Sequence, residues 1–353
     1  MMKRIRVLVV DDSALVRELL TAGLAKDPEL EVVGSAANPY IARDKIVELR
    51  PDVLTLDVEM PRMDGVDFLR RLMPQYPIPV IMVSALTQKG AQITLEALEA
   101  GAIDFVTKPS TDVARGLNQM LADLRQKIKM AAKVDLSAWK NRAVRRESPG
   151  PVKVRTALSE STDKVIAIGA STGGTEAIRR VISAFPANMP GIVIVQHMPP
   201  GFTKHFSDNL NEICEMDVQE AKTGDRVMPG RVLIAPGGKH MTVRRSGGIY
   251  LVDCQEGENV NGHCPSVDVL FHSVARYVAG NAVGVILTGM GGDGAEGLLA
   301  MRQAGARTIA QDEATCVVFG MPKVAIDRGG VEKIGPLDTI PQMIVSTLGG
   351  EKR

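Results

Sequence analysis

Three aspartates in the first half of the sequence stand where apolar runs end. Asp11 and Asp12 directly follow the run VLVV, and Asp57 ends the run VLTL. If these runs are neighbouring parallel strands, their carboxylates meet at one edge of the sheet, where binding sites form in such folds. Carboxylates packed closely repel one another unless a cation joins them, and oxygen ligands of this kind suit Mg²⁺. The pattern therefore predicts a Mg²⁺ site.

Two further apolar runs end in groups that suit a phosphoryl group beside this cation. Ser84, after PVIMV, offers a hydroxyl, and Lys108, after FVT, offers a positive charge to phosphate oxygens. Each residue alone could simply cap a strand or a helix. Four strand ends with complementary chemistry instead predict a centre that accepts phosphate.

A candidate nucleophile, Ser171, lies in the second half of the chain. The segment Gly169-Ala-Ser-Thr-Gly173 follows the apolar run VIAI and fits the pattern G-x-S-x-G. That pattern places a serine on a sharp turn from a strand into a helix. A helix from about Thr175 would direct its first N–H groups towards negative charge that develops near the serine.

A base and a group to orient it can be chosen by the same positional argument. Of the five histidines, His197 ends the run IVIVQ at the edge of the sheet that carries Ser171. Asp293 lies in GMGGDG, directly after the run VGVILT. The sequence therefore predicts that Ser171 attacks, His197 transfers the proton and Asp293 orients the imidazole. The chain order of the three does not matter, since a triad is defined by geometry.

A nucleotide-binding module is an alternative for the same region. Gly289 to Gly294 form a formal G-x-G-x-x-G after a strand, and Asp312 stands near the distance expected for a ribose-binding acid. Against this interpretation, Asp293 would place a carboxylate beside a bound pyrophosphate. It also leaves Ser171 and His197 without a role.

A zinc site is a second alternative. Cys254, His263, Cys264 and His272 could be combined into one, but their spacing fits no common zinc pattern. The four cysteines of the chain include no C-x-x-C pair, which indicates reduced thiols in a cytoplasmic protein.

The elements that must position these residues form two α/β series. Over residues 1–132, five apolar runs alternate with amphipathic stretches, which predicts a parallel sheet covered by helices on both faces. Residues 133–163 lose that periodicity and are predicted to be a linker. A second series over residues 164–350 predicts another doubly wound parallel sheet. Within it, MTVRR-SGG-IYLV predicts a small antiparallel hairpin.

Composition and charge exclude several classes of function. Aromatic residues make up only 3% of the 353 residues, so stacking platforms for single-stranded nucleic acid are not expected. Residues 156–353 carry 18 basic and 21 acidic side chains, and they show no helix-turn-helix pattern, which argues against a DNA-binding regulator. No apolar run approaches the ~18 residues of a membrane helix, so we expect no integral membrane protein.

The first series resembles the receiver domain of two-component response regulators, which is flavodoxin-like. The resemblance rests on VLVVDDS, LDVEMPRMDG, VSA and DFVTKP, which occur in this order. It implies that a histidine kinase phosphorylates Asp57, and that Ser84 and Lys108 sense the phosphate. It also implies that Phe105 takes the place of the family's aromatic switch residue, often a tyrosine, and that Lys108–Pro109 is a cis peptide. The Mg²⁺ ligands that it implies are Asp11, Asp12, Asp57 and the backbone carbonyl of Glu59.

The second series resembles the Rossmann-like catalytic domain of the chemotaxis protein-glutamate methylesterases. IGASTGG, VQHMP, APGG, PSVDVLF and LTGMGGDG occur in the family's order. The resemblance implies hydrolysis of glutamate methyl esters on chemoreceptors and deamidation of receptor glutamines, activated by phosphorylation from the chemotaxis histidine kinase. It implies that the Met290 N–H and Thr172 stabilise the oxyanion, with no metal in this domain. Cys264 stands where the family suggests a basic residue.

Overall fold

The structure is a computed structural model that describes residues 3–85, 87–109, 113–134, 136 and 163–349. The chain divides into two compact units, Met1–Arg146 and Glu147–Arg353. Most of the predicted linker, 133–163, lies outside the described residues. The bounds predicted for the linker and for the two domains therefore stay predictions.

The first unit contains a five-stranded parallel sheet with the strand order β2-β1-β3-β4-β5. Helices alternate with the strands along the chain. The strands are β1 (Ile5–Val10), β2 (Leu30–Ala36), β3 (Val53–Asp57), β4 (Val80–Ala85) and β5 (Asp104–Lys108). The helices are α1 (Ala14–Leu24), α2 (Pro39–Leu49), α3 (Gly65–Gln75), α4 (Gln88–Ala100) and α5 (Val113–Ala131).

Local sequence explains how these elements place the acidic edge of the first sheet. The central strand β3 is buried along its whole length, as expected for a strand covered on both faces. Helices begin at side chains that accept a backbone N–H, with Ser13 capping α1 and Asp64 capping α3. Gly65 starts α3 so close to β3 that a Cβ there would lie 2.3 Å from the Asp57 carbonyl oxygen. Asp57 is thus held between a buried strand and the start of a helix.

The second unit contains a seven-stranded parallel sheet with the order β15-β14-β13-β6-β7-β10-β8. Its strands are β6 (Val165–Ala170), β7 (Gly191–Gln196), β8 (Asp217–Glu220), β10 (Arg231–Ile234), β13 (Ala282–Ile286), β14 (Arg307–Gln311) and β15 (Lys333–Gly335). Its helices are α6 (Gly174–Ile182), α7 (Phe202–Ile213), α8 (Val267–Tyr277), α9 (Ala295–Gln303), α10 (Met321–Asp327) and α11 (Ile340–Leu348).

The predicted antiparallel hairpin is confirmed and belongs to a small three-stranded sheet. Strand β11 (His240–Ser246) pairs with β12 (Ile249–Gln255), and β12 also pairs with the short strand β9 (Arg226–Val227). Gly247 turns the hairpin with a φ of +60°, a backbone conformation that favours glycine. Both parallel sheets and this hairpin therefore agree with the predicted two-domain α/β fold.

Strand register in the second unit decides which loops meet. Strand β6 lies between β13 and β7, and all three strands are buried throughout. Ala170 pairs with Gln196, so the next residues, Ser171 and His197, leave the sheet side by side. The loop that carries Asp293 leaves the same edge from β13. Within the described part of the chain, the structure has no helix long and apolar enough to cross a membrane.

Candidate active site and phospho-acceptor site

The candidate nucleophile sits on a turn that is fixed through its backbone. The Ser171 N–H donates to the Thr288 carbonyl at 3.0 Å, and the Ser171 carbonyl accepts from Gln196 Nε2 at 2.9 Å. Gly173, with a φ of +76°, then leads into helix α6. A Cβ on Gly289 would lie 2.8 Å from the Ser171 Cβ, so only glycine fits opposite the serine.

The candidate base, His197, is buried and is held at one ring nitrogen. Its Nε2 lies 2.8 Å from Asp293 Oδ2, and its side chain is 6% exposed. Its Nδ1 is buried without a hydrogen-bond partner among the described residues. Because Nε2 faces a carboxylate, we assign the proton to Nε2, which leaves a lone pair on Nδ1. The ring is therefore prepared to accept a proton at Nδ1.

Asp293 is surrounded by hydrogen-bond donors. Its Oδ1 accepts from Asn261 Nδ2 at 2.9 Å and Ser266 Oγ at 2.8 Å, while its Oδ2 accepts from the Val267 N–H at 2.6 Å. The Asp268 N–H adds a longer bond of 3.2 Å. Burial alone would raise the pKa of Asp293, but the hydrogen bonds from His197, Asn261 and Ser266 hold that pKa well below its usual value. Asp293 is therefore an anion that can orient His197.

Sequence reasoning missed three residues that hold this site together: Gln196, Asn261 and Ser266. Gln196 Nε2 donates to the carbonyls of Ser171 and His197, at 2.9 and 3.4 Å. A polar residue that ends a fully apolar strand was the available signal for Gln196. Asn261 starts an Asn-Gly dipeptide, which is a strong turn signal. Ser266 caps helix α8 by accepting from the Val269 N–H, as a serine before an apolar run indicates.

The two residues predicted to stabilise the oxyanion lie on loops beside Ser171. No described residue accepts a hydrogen bond from the Met290 N–H. Thr172 is buried, and its carbonyl accepts from Thr288 Oγ1 at 3.0 Å. The Met290 loop is tied down at Gly289, whose carbonyl accepts from the Met321 N–H at 2.9 Å. An N–H left open beside the nucleophile suits a developing oxyanion, although the roles of Met290 and Thr172 stay predictions.

The geometry favours the triad over the nucleotide alternative. Asp293 is occupied by the donors around it, and Asp312 Oδ1 accepts from the N–H and the hydroxyl of Thr315, at 3.0 and 2.5 Å. Both oxygens of Asp293 and one oxygen of Asp312 are therefore already engaged. Asp293 also directs Oδ2 at His197, which the nucleotide interpretation left without a role.

The residues of the zinc alternative do not come together. Within the described ranges, one cluster of three or more potential metal-binding side chains occurs, and it is formed by Asp11, Asp12 and Asp57. All four cysteines are free thiols. Burial raises the pKa of Cys254 to about 12, which keeps this thiol protonated.

The acidic cluster in the first unit has the donor set predicted for Mg²⁺. One oxygen from each of Asp11, Asp12 and Asp57 lies within 4.8 Å of the others. Asp11 and Asp57 are buried, whereas Asp12 is exposed. Lys108 Nζ lies 2.9 Å from Asp11 Oδ2 and 3.0 Å from Asp57 Oδ2. The cluster thus brings together three carboxylates and one ammonium group, as predicted from the residues at the strand ends.

Charge is poorly balanced at Asp57. The pKa of Asp57 is raised to about 6, mainly by burial; Lys108 opposes this shift, and the neighbouring Asp11 and Asp12 contribute to it. Burial also acts to lower the pKa of Lys108, but the two aspartates outweigh it and raise that pKa. The carboxylates still lack positive charge, which a divalent cation would supply.

Of the three residues predicted to sense phosphate, Lys108 contacts Asp57, whereas Ser84 is bonded elsewhere and Phe105 lies inside the core. Ser84 Oγ donates to the Gly90 carbonyl at 3.3 Å and accepts from Thr94 Oγ1 at 2.8 Å, so it is bonded to helix α4. Phe105 is buried, with Lys127 Nζ 5.5 Å from its ring centroid. These positions allow a sensing role but do not test it.

One expectation about the backbone of this site is wrong. Cys264–Pro265 is the cis peptide found among the described residues. The Lys108–Pro109 bond is therefore trans, in contrast to the cis bond that the receiver resemblance implied.

Family models match both units of the chain. Residues 166–344 match the model of the CheB methylesterase domain, and residues 7–122 match the response regulator receiver domain. Both matched regions coincide with the α/β sheets described above.

Two relatives are similar over nearly the whole chain, and one solved structure is similar to the second unit. A protein-glutamate methylesterase/protein-glutamine glutaminase of Syntrophotalea carbinolica is 67% identical over 350 residues, which cover 99% of each chain. The protein of that name from Shigella flexneri is 53% identical over 347 residues, which cover 98% of each chain. The CheB methylesterase catalytic domain of Thermotoga maritima is 39% identical, with a TM-score of 0.51, and the match covers 52% of this chain and 97% of that domain.

Proposed function

Because this chain belongs to the CheB methylesterase family, we propose that it is a protein-glutamate methylesterase and protein-glutamine glutaminase controlled by its receiver domain. The observation that carries the proposal is the His197–Asp293 pair. Its Nε2–Oδ2 distance is 2.8 Å, and Nδ1 is left without a partner in the described structure. His197 and Ser171 follow paired residues of neighbouring strands. The relatives named above have this pair of activities in their names.

In the first half-reaction, the Ser171 hydroxyl attacks the γ-carbonyl carbon of a methylated glutamate. His197 Nδ1 takes the hydroxyl proton, and Asp293 stabilises the imidazolium that forms. The oxyanion accepts a hydrogen bond from the Met290 N–H, with Thr172 beside it. When the carbonyl reforms, the ester C–O bond breaks, and methanol leaves with the proton from Nδ1. The product is an acyl-enzyme on Ser171.

In the second half-reaction, water replaces the serine. His197 Nδ1 takes a proton from the attacking water and returns it to Ser171 Oγ as the acyl bond breaks. The receptor is released with an unmodified glutamate side chain. A receptor glutamine follows the same course, except that ammonia leaves in place of methanol. One centre thus accounts for both activities.

In the receiver domain, Asp57 is the residue that accepts a phosphoryl group. The carboxylates of Asp11, Asp12 and Asp57 form a donor set that fits Mg²⁺. The resemblance to receiver domains adds the Glu59 carbonyl as a further ligand. When bound, Mg²⁺ supplies positive charge that offsets the carboxylates and the phosphoryl oxygens. Lys108, already 3.0 Å from Asp57, contributes a second cation.

Phosphorylation of Asp57 would control activity through side chains that must give up their present contacts to reach the phosphoryl group. Ser84 is bonded to Gly90 and Thr94, and it would leave them to reach a phosphoryl group on Asp57. Phe105 is the aromatic residue whose position would change with it. A near-complete switch of activity needs a preference of about 5.5 kcal/mol for one state. The phosphoryl group comes from a chemotaxis histidine kinase, and the substrates of the hydrolase are methylated chemoreceptors.

The test is methanol release from methylated chemoreceptor membranes by the full-length chain. Wild type, Ser171→Ala and Asp57→Asn are compared with and without acetyl phosphate and Mg²⁺. We expect no release from Ser171→Ala, and stimulation by acetyl phosphate in wild type alone. Asp57→Asn is the matched control, since it keeps the shape of the acceptor but cannot be phosphorylated.

Release that persists in Ser171→Ala would refute the serine mechanism. Equal stimulation of Asp57→Asn would refute control through Asp57 and leave the hydrolase assignment intact. The two parts of the proposal are therefore tested separately.

A further inference from the structure

A tight turn that contains none of the proposed triad residues contacts two of them. Val260 and His263 exchange backbone hydrogen bonds, each 3.0 Å long, around Asn261 and Gly262. The φ angles of the two central residues are +53° and +84°, the signs that a type I′ turn requires. Asparagine and glycine are the residues that adopt such angles most readily. The backbone of this turn is thus well defined by its own sequence.

The side chain of Asn261 connects this turn to two buried acids. Its Nδ2 donates to Asp293 Oδ1 at 2.9 Å and to Asp268 Oδ2 at 2.7 Å. Asp268 is fixed in turn by the Gly297 N–H, which donates to its Oδ1 at 2.7 Å. Each of the two amide protons therefore has its own acceptor. Asn261 holds Asp293 against a second acid that is anchored to helix α9.

The side chain of His263 covers the base itself. Its ring stacks on the ring of His197 with 3.7 Å between the centroids and 13° between the planes. The hydrogen bond from Nε2 to Asp293 fixes one atom of the His197 ring, but one bond leaves the ring able to tilt about it. A ring stacked at this distance opposes that tilt, because it occupies the space into which His197 would turn. The free atom, Nδ1, then keeps one direction.

From these contacts we propose that the turn Val260–His263 positions the base. His263 fixes the plane of His197, and Asn261 fixes the carboxylate to which His197 is bonded. Both are positioning residues, since they act through His197 and Asp293 rather than on the substrate. The inference rests on the proposed hydrolase function and adds two residues to its machinery. A displacement of the base by a fraction of an ångström is enough to slow proton transfer.

The first test compares two substitutions at His263 in the full-length chain. His263→Ala removes the stacked ring, and we expect kcat for methanol release to fall about tenfold while KM stays within about twofold. His263→Phe keeps a flat ring without nitrogen atoms and is expected to restore kcat to within about threefold of wild type. Wild-type kcat in His263→Ala, or equal losses in both variants, would overturn the proposal.

The second test removes the Asn261 carboxamide without disturbing the backbone. Asn261→Gly tolerates a positive φ, so the turn can persist. We expect kcat to fall about tenfold again. The proton NMR signal of the hydrogen-bonded His197 Nε2–H should also broaden in Asn261→Gly and in His263→Ala, but not in His263→Phe. An unchanged signal and unchanged kcat in Asn261→Gly would contradict the role of Asn261.

Failure of this inference can be told from failure of the proposed function. Wild type and Ser171→Ala are measured in the same assay. If Ser171→Ala keeps the wild-type rate, the serine mechanism itself fails, whatever the turn variants do. If Ser171→Ala is inactive and the turn variants are fully active, only the positioning role fails. Thermal unfolding of each variant separates a loss of kcat from a loss of folded protein.

Discussion

Two buried aspartates, Asp57 and Asp293, occupy similar places in two parallel sheets and have opposite electrostatics. Each lies at the carboxyl edge of its sheet, and each is at most 4% exposed. Asp57 faces Asp11 and Asp12 and is paired with Lys108, and its pKa is raised to about 6. Asp293 accepts hydrogen bonds from several donors, and its pKa is lowered. Burial is common to both sites, so the neighbours decide the direction of the pKa shift.

The difference suits the two proposed roles. A phosphoryl acceptor needs an oxygen that is not already committed to donors. Lys108 faces Asp57 Oδ2, and the other charged neighbours of Asp57 are the acids Asp11 and Asp12. An orienting residue needs a fixed negative charge, and Asp293 has hydrogen bonds at both oxygens. The same residue type is thus left reactive in one unit and made inert in the other.

The largest expected effect comes from replacing the inert aspartate. In Asp293→Asn, a carboxamide nitrogen in the place of Oδ2 cannot accept the hydrogen bonds that Oδ2 accepts from the Val267 N–H and from His197 Nε2. His197 would accept at Nε2 and carry its proton on Nδ1, where it cannot take the proton of Ser171. We expect kcat for methanol release to fall about 10³–10⁴-fold. A loss below about tenfold would contradict the role given to Asp293.

The same substitution at the two aspartates should change stability in opposite directions. At pH 7 without Mg²⁺, Asp57→Asn removes an anion that burial and two acids disfavour, and should stabilise the first unit by about 2 kcal/mol. Asp293→Asn leaves buried donors unpaired and should destabilise the second unit by about 3 kcal/mol. Hydrogen exchange of the buried strand amides of each unit measures both in one full-length chain. Changes of the same sign would break the comparison.

The third prediction concerns how the stability gained by Asp57→Asn depends on pH. The pKa of Asp57 in the folded state, about 6, lies above the usual value of 3.8, so the folded state binds more protons between these two values. The stability that Asp57 contributes is therefore lost as pH rises from about 4 to about 6. We expect the gain from Asp57→Asn to be near zero at pH 4 and complete at pH 7. Hydrogen exchange between these pH values, corrected for intrinsic rates, tests this sign.

The motifs at strand ends were predictable because each is a local signal. Ser171, His197 and Asp293 each follow an apolar run, and parallel strands bring such ends to one edge. The same reasoning grouped Asp11 and Asp57 with Lys108, and the structure places these side chains in contact. The prediction of a cis bond at Lys108–Pro109, by contrast, rested on the family resemblance rather than on any local signal, and it was wrong.

The strands, the helices, the hairpin and the edge of each sheet where polar groups gather could be predicted from the sequence, because they depend on apolar periodicity and on turn residues close in the chain. The donors that surround Asp293, by contrast, became known only from the folded structure. Asn261 and Ser266 are 32 and 27 residues away from it along the chain. Their contacts depend on how loops pack, and loop packing leaves no periodic pattern in the sequence. The lowered pKa of Asp293 therefore depends on residues that no local sequence pattern identifies.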